Sequence, residues 1–347
     1  MTNYDISALN GYEREAWARI QRWQAEQAQR TGRIPVPVRK RAKQVGELAS
    51  KSWAAAPGSA QLNEIVGQVL AGGSQAVADA VAASLQRDRI LRAARDAGSE
   101  ATTLSDLRSL DLRVIDHILP SLNLRYAATS AATGAASGFV AGGGMAAIAG
   151  TGGVAAAPGA LAVSGALAAD VVATIGLAAR VVTHYAGYYG YDTGEENEKA
   201  VLLAVIGVGV AGEGAAKQAA LLHVRKVAMM IARRAAWKEL GEEGVVKLVQ
   251  ILFARLGASL TKVKLAQALP VVGVAAGAGL NYSLMRKVGT AASFMYRERF
   301  LIEKYGLDAD EPDPDISEVI GIESMRDLAI EVPANGSDMP PPEPDSA

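Results

Sequence analysis

The run Tyr126-Ala-Ala-Thr-Ser130-Ala-Ala-Thr-Gly134-Ala-Ala-Ser-Gly138-Phe-Val-Ala-Gly142-Gly-Gly-Met-Ala146-Ala-Ile-Ala-Gly150 decides how this chain is built. Positions 126–169 hold no charged residue and consist mostly of Ala, Gly, Ser and Thr. Small residues recur every four positions at Ser130, Gly134, Gly138, Gly142, Ala146 and Gly150. Four residues is close to one helical turn, so the spacing draws a stripe of small side chains along one helix face. Such a stripe lets a second backbone come unusually close, as at membrane-helix interfaces and in tight soluble helix pairs. Insertion energetics favour the soluble pair. Between positions 126 and 149 only Phe139, Val140, Met145 and Ile148 are strongly apolar. At the centre of a span each Leu, Ile, Phe or Val contributes only about −0.3 to −0.6 kcal/mol. The Gly142-Gly-Gly144 run should also interrupt the helix.

Outward from this stretch the pattern stays helical. Residues 4–30 read as an amphipathic helix with Tyr12, Ala16, Ile20 and Trp23 on one face. Gly32, Pro35 and Pro37 then hold a link extended. Residues 59–96 read as helical with a break at Gly72-Gly73. Residues 105–124 read as one amphipathic helix, with Leu107, Leu110, Val114 and Ile118 on one face and a kink or end at Pro120. Residues 159–185 are apolar on nearly every face. Further helices are expected over 195–212, 213–240, 245–268 and from Pro270 to about residue 305. Strict apolar–polar alternation is almost absent. The predicted fold class is therefore all-α, a compact multi-helix domain with Gly/Ala-rich, tightly packed central helices. The expected organisation is an N-terminal helix and basic linker over 1–45, a helical domain over 46–306 and a disordered tail over 307–347. That tail alternates acids with prolines, as in Asp308 to Asp315 and Pro340 to Asp345.

Composition bounds the function. The chain has 347 residues, 50% of them apolar but only 5% aromatic, so its core must be packed with Ala, Val and Leu. The formal net charge of −1 argues for neither nucleic acid nor an acidic ligand. The absence of cysteine removes disulfides, thiolate metal sites and a cysteine nucleophile, and suits a reducing compartment. No basic, then apolar, leader follows Met1, so no signal peptide is expected and the expected location is cytoplasmic.

Few residues suggest chemistry. Asp170 lies inside the most hydrophobic helix. At mid-membrane an unpaired carboxylate would cost about 2.5–3.5 kcal/mol. In a soluble core it needs a partner, and the plain reading is a structural buried bond rather than a functional site. His184, Tyr185, Tyr188, Tyr189, Tyr191 and Asp192 form the one aromatic-rich cluster. A ligand pocket is one reading. A helix end is the plainer one, with Gly190 as its C-cap and Glu195-Glu196 opening the next helix. His117, His184 and His223 are far apart, and Asp116-His117 shows no metal spacing. Gly150-Thr-Gly152-Gly153 lacks the preceding strand that a phosphate loop needs. No GxxxxGK[ST], HExxH or nucleophile elbow is present. Arg30, Arg33, Arg39, Lys40, Arg41 and Lys43 gather without an acid among them. They suit a solvated linker or, at about 1 kcal/mol per basic residue, an anionic lipid surface.

Three stretches together resemble the EcsC family of bacterial proteins. The first is Tyr12-Glu-Arg-Glu-Ala-Trp17 running on to Trp23. The second is the Gly134 to Gly142 segment, leading into Leu167-Ala-Ala-Asp170-Val and then Tyr189-Gly190-Tyr191-Asp192. The third is Leu269-Pro-Val-Val-Gly273 to Asn281-Tyr282, followed by Tyr296-Arg297-Glu-Arg299. The resemblance spans about residues 10–305. It implies no established catalytic residues, but a link to an operon that also encodes the ATPase and membrane subunit of an ABC transporter. The expectation is a non-enzymatic accessory or scaffold protein, peripheral at the inner face of the membrane. Its partners would be an anionic membrane surface or a membrane transporter; no cofactor, metal or nucleic acid is expected, and the oligomeric state stays open. Gly134, Gly138, Gly142, Asp170, Tyr189, Gly190 and Asp192 are the candidate packing or interaction residues. The rival is a soluble, hydrolase-like enzyme with a pocket around Asp170 or the Tyr185–Asp192 turn.

Overall fold

A computed structural model describes residues 4–29, 84–120, 156–211, 215–233 and 273–307, with pieces at 77, 122, 249–253, 256–257 and 259–260. Among them there is no strand, and the fold is all-α. The Gly134, Gly138 and Gly142 stripe, the basic cluster of 30–43 and the acidic tail lie outside the described residues.

Helix α1 is Gly11–Gln29. It starts where it does because Asn10 and Glu13 cap each other. The Glu13 amide donates to Asn10 Oδ1 at 3.0 Å, and the Asn10 amide donates to Glu13 Oε2 at 3.2 Å. Helix α2, Arg87–Asp96, ends on Gly98, whose φ of 85° lets the Ser99 amide reach back to the Ala94 carbonyl.

The continuous helix expected over 105–124 is broken. A 3₁₀ turn, Ser105–Ser109, is followed by extended Leu110, and helix α3 is only Leu112–Ile118. The physical reason is local. Asp106 gathers the amides of Thr102 and Thr103 at 2.9 and 2.8 Å, and Asp111 caps α3 by accepting from the Arg113 amide at 2.7 Å. Both aspartates compete with the continuous helix for backbone donors. Helix α3 also stops short of Pro120, as the restriction on residues before proline requires.

Helix α4 is Ala156–Tyr188, α5 is Glu196–Val210, α6 is Ala215–Arg233 and α7 is Gly273–Tyr305. The middle of α5 is wrapped on all sides. Ala200 to Ile206 are buried without interruption, and α4, α6 and α7 all pack against this helix. That explains why α5 shows no amphipathic pattern: a helix buried all round has no polar face to keep. At Gly209 the backbone of α5 comes so near α7 that a Cβ there would stand 2.7 Å from Val288 Cα. Helix α1 lies across α6 and α7, where Trp23 stacks on Phe294 with ring centroids 4.8 Å apart. No helix among the described residues is long and apolar enough to cross a membrane.

Candidate functional site

The C-terminal end of α7 carries Tyr296-Arg297-Glu298-Arg299 in sequence. Successive residues on a helix point about 100° apart. Three consecutive charges therefore fan over most of the helix circumference, and on a packed helix at least one must enter the interior. All three do so here: Glu298 and Arg299 are buried, and Arg297 is nearly so. Each reaches a different neighbour.

Arg299 points at α5. Its guanidinium donates to both oxygens of Glu198 at 2.7 and 2.8 Å, and its Nε donates to Glu303 at 2.6 Å. Burial alone would push this guanidinium down, but Glu198 and Glu303 hold it charged. Its flat face lies 4.0 Å from the centre of the Tyr191 ring, and Arg108 covers the same ring at 5.3 Å. The Tyr191 hydroxyl donates to Glu303 Oε2 at 3.1 Å.

Arg297 points at α3. It donates to Asp116 at 2.5 Å and to the Tyr189 hydroxyl at 3.0 Å, while Tyr12 of α1 donates to the same Asp116 carboxylate at 2.7 Å. Glu298 points at α6 and α1. It pairs with Arg225 and accepts from Gln24 Nε2 at 2.8 Å. One turn on, Lys304 pairs with buried Glu13 at 3.1 Å and donates to the Leu110 carbonyl, and Tyr305 donates to Glu13 at 2.6 Å. Burial drives the Tyr189 and Tyr191 hydroxyls far above the ordinary phenol range, so both stay protonated donors.

The Tyr-rich turn between α4 and α5 serves this network. Gly190 has φ 86°, its amide donates to the Gly187 carbonyl, and the Tyr191 amide donates to the Ala186 carbonyl. This left-handed cap closes α4 and throws Tyr189 and Tyr191 inward. Asp192 caps the turn by accepting from the Gly194 amide and is gripped by Arg87 through Nε at 3.0 Å and a terminal nitrogen at 2.8 Å. Tyr189, Gly190 and Asp192 thus sit together, whereas Asp170 lies half-buried on α4, 19 residues before Tyr189. Asp116 was visible in the sequence only as the neighbour of His117, and Glu198, Glu303, Arg225 and Glu13 carried no sequence signal of their own. The one available signal was the triple charge at 297–299 inside an otherwise apolar helix.

A small cavity of about 30 Å³ opens between α5, α6 and α7, with Val205, Met229, Met295, Tyr296, Glu298 and Arg299 in its walls. Asp170 is not a wall residue of it. Among the described residues no group of three or more His, Asp or Glu side chains is placed to hold a metal ion.

Fold and site define a class: an all-α protein whose helices are tied together by buried ion pairs fanning out from one of them. Residues 144–301 match the EcsC protein family, and over that segment the chain is similar to its members. The matched segment takes in Asp170, the Tyr189–Asp192 turn and Tyr296–Arg299, and leaves out α1. No curated protein and no solved structure matches the chain.

Proposed function

We propose that this chain is a non-enzymatic helical accessory or scaffold protein, held at the inner face of a bacterial membrane and working with a transporter. The observation that carries the reading is the use made of the charged groups of α7. Arg297, Glu298, Arg299 and Lys304 each clamp a different neighbour, so α1, α3, α5 and α6 are locked to one helix. Charges committed in this way give rigidity and a defined outer surface. The rival hydrolase-like reading draws less support, because Tyr189 and Asp192 are held by Arg297 and Arg87.

Attachment is assigned to the basic cluster Arg30 to Lys43 facing anionic lipid. Such attraction is screened, since the Debye length shrinks from about 10 Å at 0.1 M salt to about 3 Å at 1 M. The test is fractionation of cells expressing the full chain. The chain is expected in the membrane pellet at low salt and largely in the supernatant after a high-salt wash. A chain that never pellets, or that survives salt and alkaline carbonate and leaves only with detergent, overturns the peripheral reading.

A further inference from the structure

Helix α1 carries the chain to one end of the bundle. Trp23 stacks on Phe294 and Gln24 donates to Glu298, while Glu13 meets Lys304 and Tyr305. The two helices therefore run antiparallel, and Gln29, the last residue of α1, comes level with about residues 288–293 of α7. The next residue, Arg30, opens the run of six basic residues that ends at Lys43.

Exposed cations stand at the same level. Lys287 lies two helical turns before Phe294 and so continues the stripe of α7 on which α1 packs, and Arg286 beside it covers the Tyr282 ring at 5.9 Å. Helix α5 is antiparallel to α7, since Glu198 meets Arg299 and Gly209 meets Val288. Helix α4 turns back into α5 through residues 189–195 and packs on it, so α4 is parallel to α7. Tyr189 meets Arg297 and Phe300, which brings Arg180 level with about residues 288–291. Arg180, Arg286 and Lys287 are all exposed, and none pairs with a carboxylate among the described residues. Toward this end the described helices carry two carboxylates, Glu26 on α1 and Asp170 on α4.

The opposite end lies about 26 Å along α7, from Val288 to Tyr305 at the helical rise. Glu195 and Glu196 are exposed there where α5 begins, and Asp308, Asp310, Glu311, Asp313 and Asp315 follow directly after α7. The exposed arginines of α2 at this end, Arg89, Arg92 and Arg95, are interleaved with Asp88 and Asp96. An anionic surface attracts the first end and repels the acids of the second, and it acts within about 10 Å at 0.1 M salt. Charge divided in this way orients a molecule as well as holding it.

We infer that the end of the bundle bearing Arg180, Arg286 and Lys287 is the face set against anionic lipid, with the C-terminal end of α7 and the acidic tail turned away from the membrane. This rests on the peripheral reading above and assigns its contact surface.

Sedimentation of the full chain with phosphatidylcholine vesicles that contain or lack phosphatidylglycerol tests it. At low salt the native chain should bind only the vesicles that contain phosphatidylglycerol. Arg286→Gln with Lys287→Gln should weaken that binding about thirtyfold, the worth of two basic residues near the surface. Arg180→Gln with Lys287→Gln should weaken it as much; two variants are used so that one misfolded protein does not decide the test. Arg89→Gln with Arg92→Gln makes the same change of charge at the far end and should leave binding nearly unchanged. A native chain that does not sediment with the anionic vesicles overturns the peripheral reading and this inference with it. If the native chain does bind, the inference alone is overturned when both variants at the first end bind like the native chain, or when the α2 variant loses as much as they do.

Discussion

Gly190 is where one residue's freedom sets the geometry of the whole polar interior. Its φ of 86° is open to glycine and strained for other residues, and a Cβ there would lie 2.7 Å from the Leu104 carbonyl oxygen. Gly190→Ala should lose about 1–2 kcal/mol from the left-handed backbone alone, and more through the collision; a lowered urea midpoint is the measurement. The Arg299–Glu198 pair makes a second test. Removing one member of a buried pair typically costs about 3–5 kcal/mol, because the other charge is left stranded. Arg299→Met should fall in that range, and adding Glu198→Leu should recover part of the loss. A double-mutant cycle showing simple additivity would mean that the two do not act as a pair. The Gly190 cap was readable from sequence, since a glycine ending an apolar helix ahead of two glutamates has few other uses. The partners of Tyr189 and Tyr191 were not, because Arg297 and Glu303 lie 108 and 112 positions away in the chain.

Elements were legible where their pattern was long and periodic. Helices α5 to α7 fall within the segments read as helical from the sequence, and α4 overruns its expected 159–185 at both ends. The failure was at 105–124, where periodicity suggested one helix and two aspartates made two short ones. Local side-chain hydrogen bonds won over periodicity because the segment is short and each backbone donor they take is one fewer for a helix. A close helix approach through a small residue is present at Gly209; the glycine stripe lies outside the described residues. Gly209→Ala would place a Cβ 2.7 Å from Val288 Cα and 2.9 Å from its amide nitrogen, both backbone atoms that cannot swing aside. It should cost about 1–3 kcal/mol or more as α5 and α7 part. Gly207 is the control on the same helix, with nothing within 4 Å of its Cβ position. Gly207→Ala should stabilise by about 0.5–1 kcal/mol, the helix-interior penalty of glycine. A fall in Tm for both variants alike would contradict this account of the α5–α7 contact.

At the scale of the whole molecule, carboxylates that hold segments together make stability depend on acid. Burial raises the Glu13 carboxyl, but hydrogen bonds from Tyr305, the Asn10 amide and Lys304 outweigh it and leave the group below its ordinary 4.5. The Thr103 and Thr102 amides hold Asp106 down from 3.8 to about 2. A folded-state value below the unfolded one means stability that is fully present above the unfolded value and lost as pH falls through the folded one. Urea midpoints should thus be flat from about pH 7 to 5 and fall steadily from about pH 5 towards 2. Tyr305→Phe removes a donor to Glu13 and should make that fall shallower; an unchanged slope would show that Glu13 carries no linkage. By itself the sequence determined the all-α class, the apolar helices and the helix-ending role of Gly190, because these depend on near neighbours and on helical period. Only the tertiary structure decided which charges go inside and with whom. Arg297, Glu298 and Arg299 are adjacent in the chain, but their partners come from α3, α6 and α5. A buried charge is tolerated only where its counter-charge arrives, and that is settled by how the helices pack.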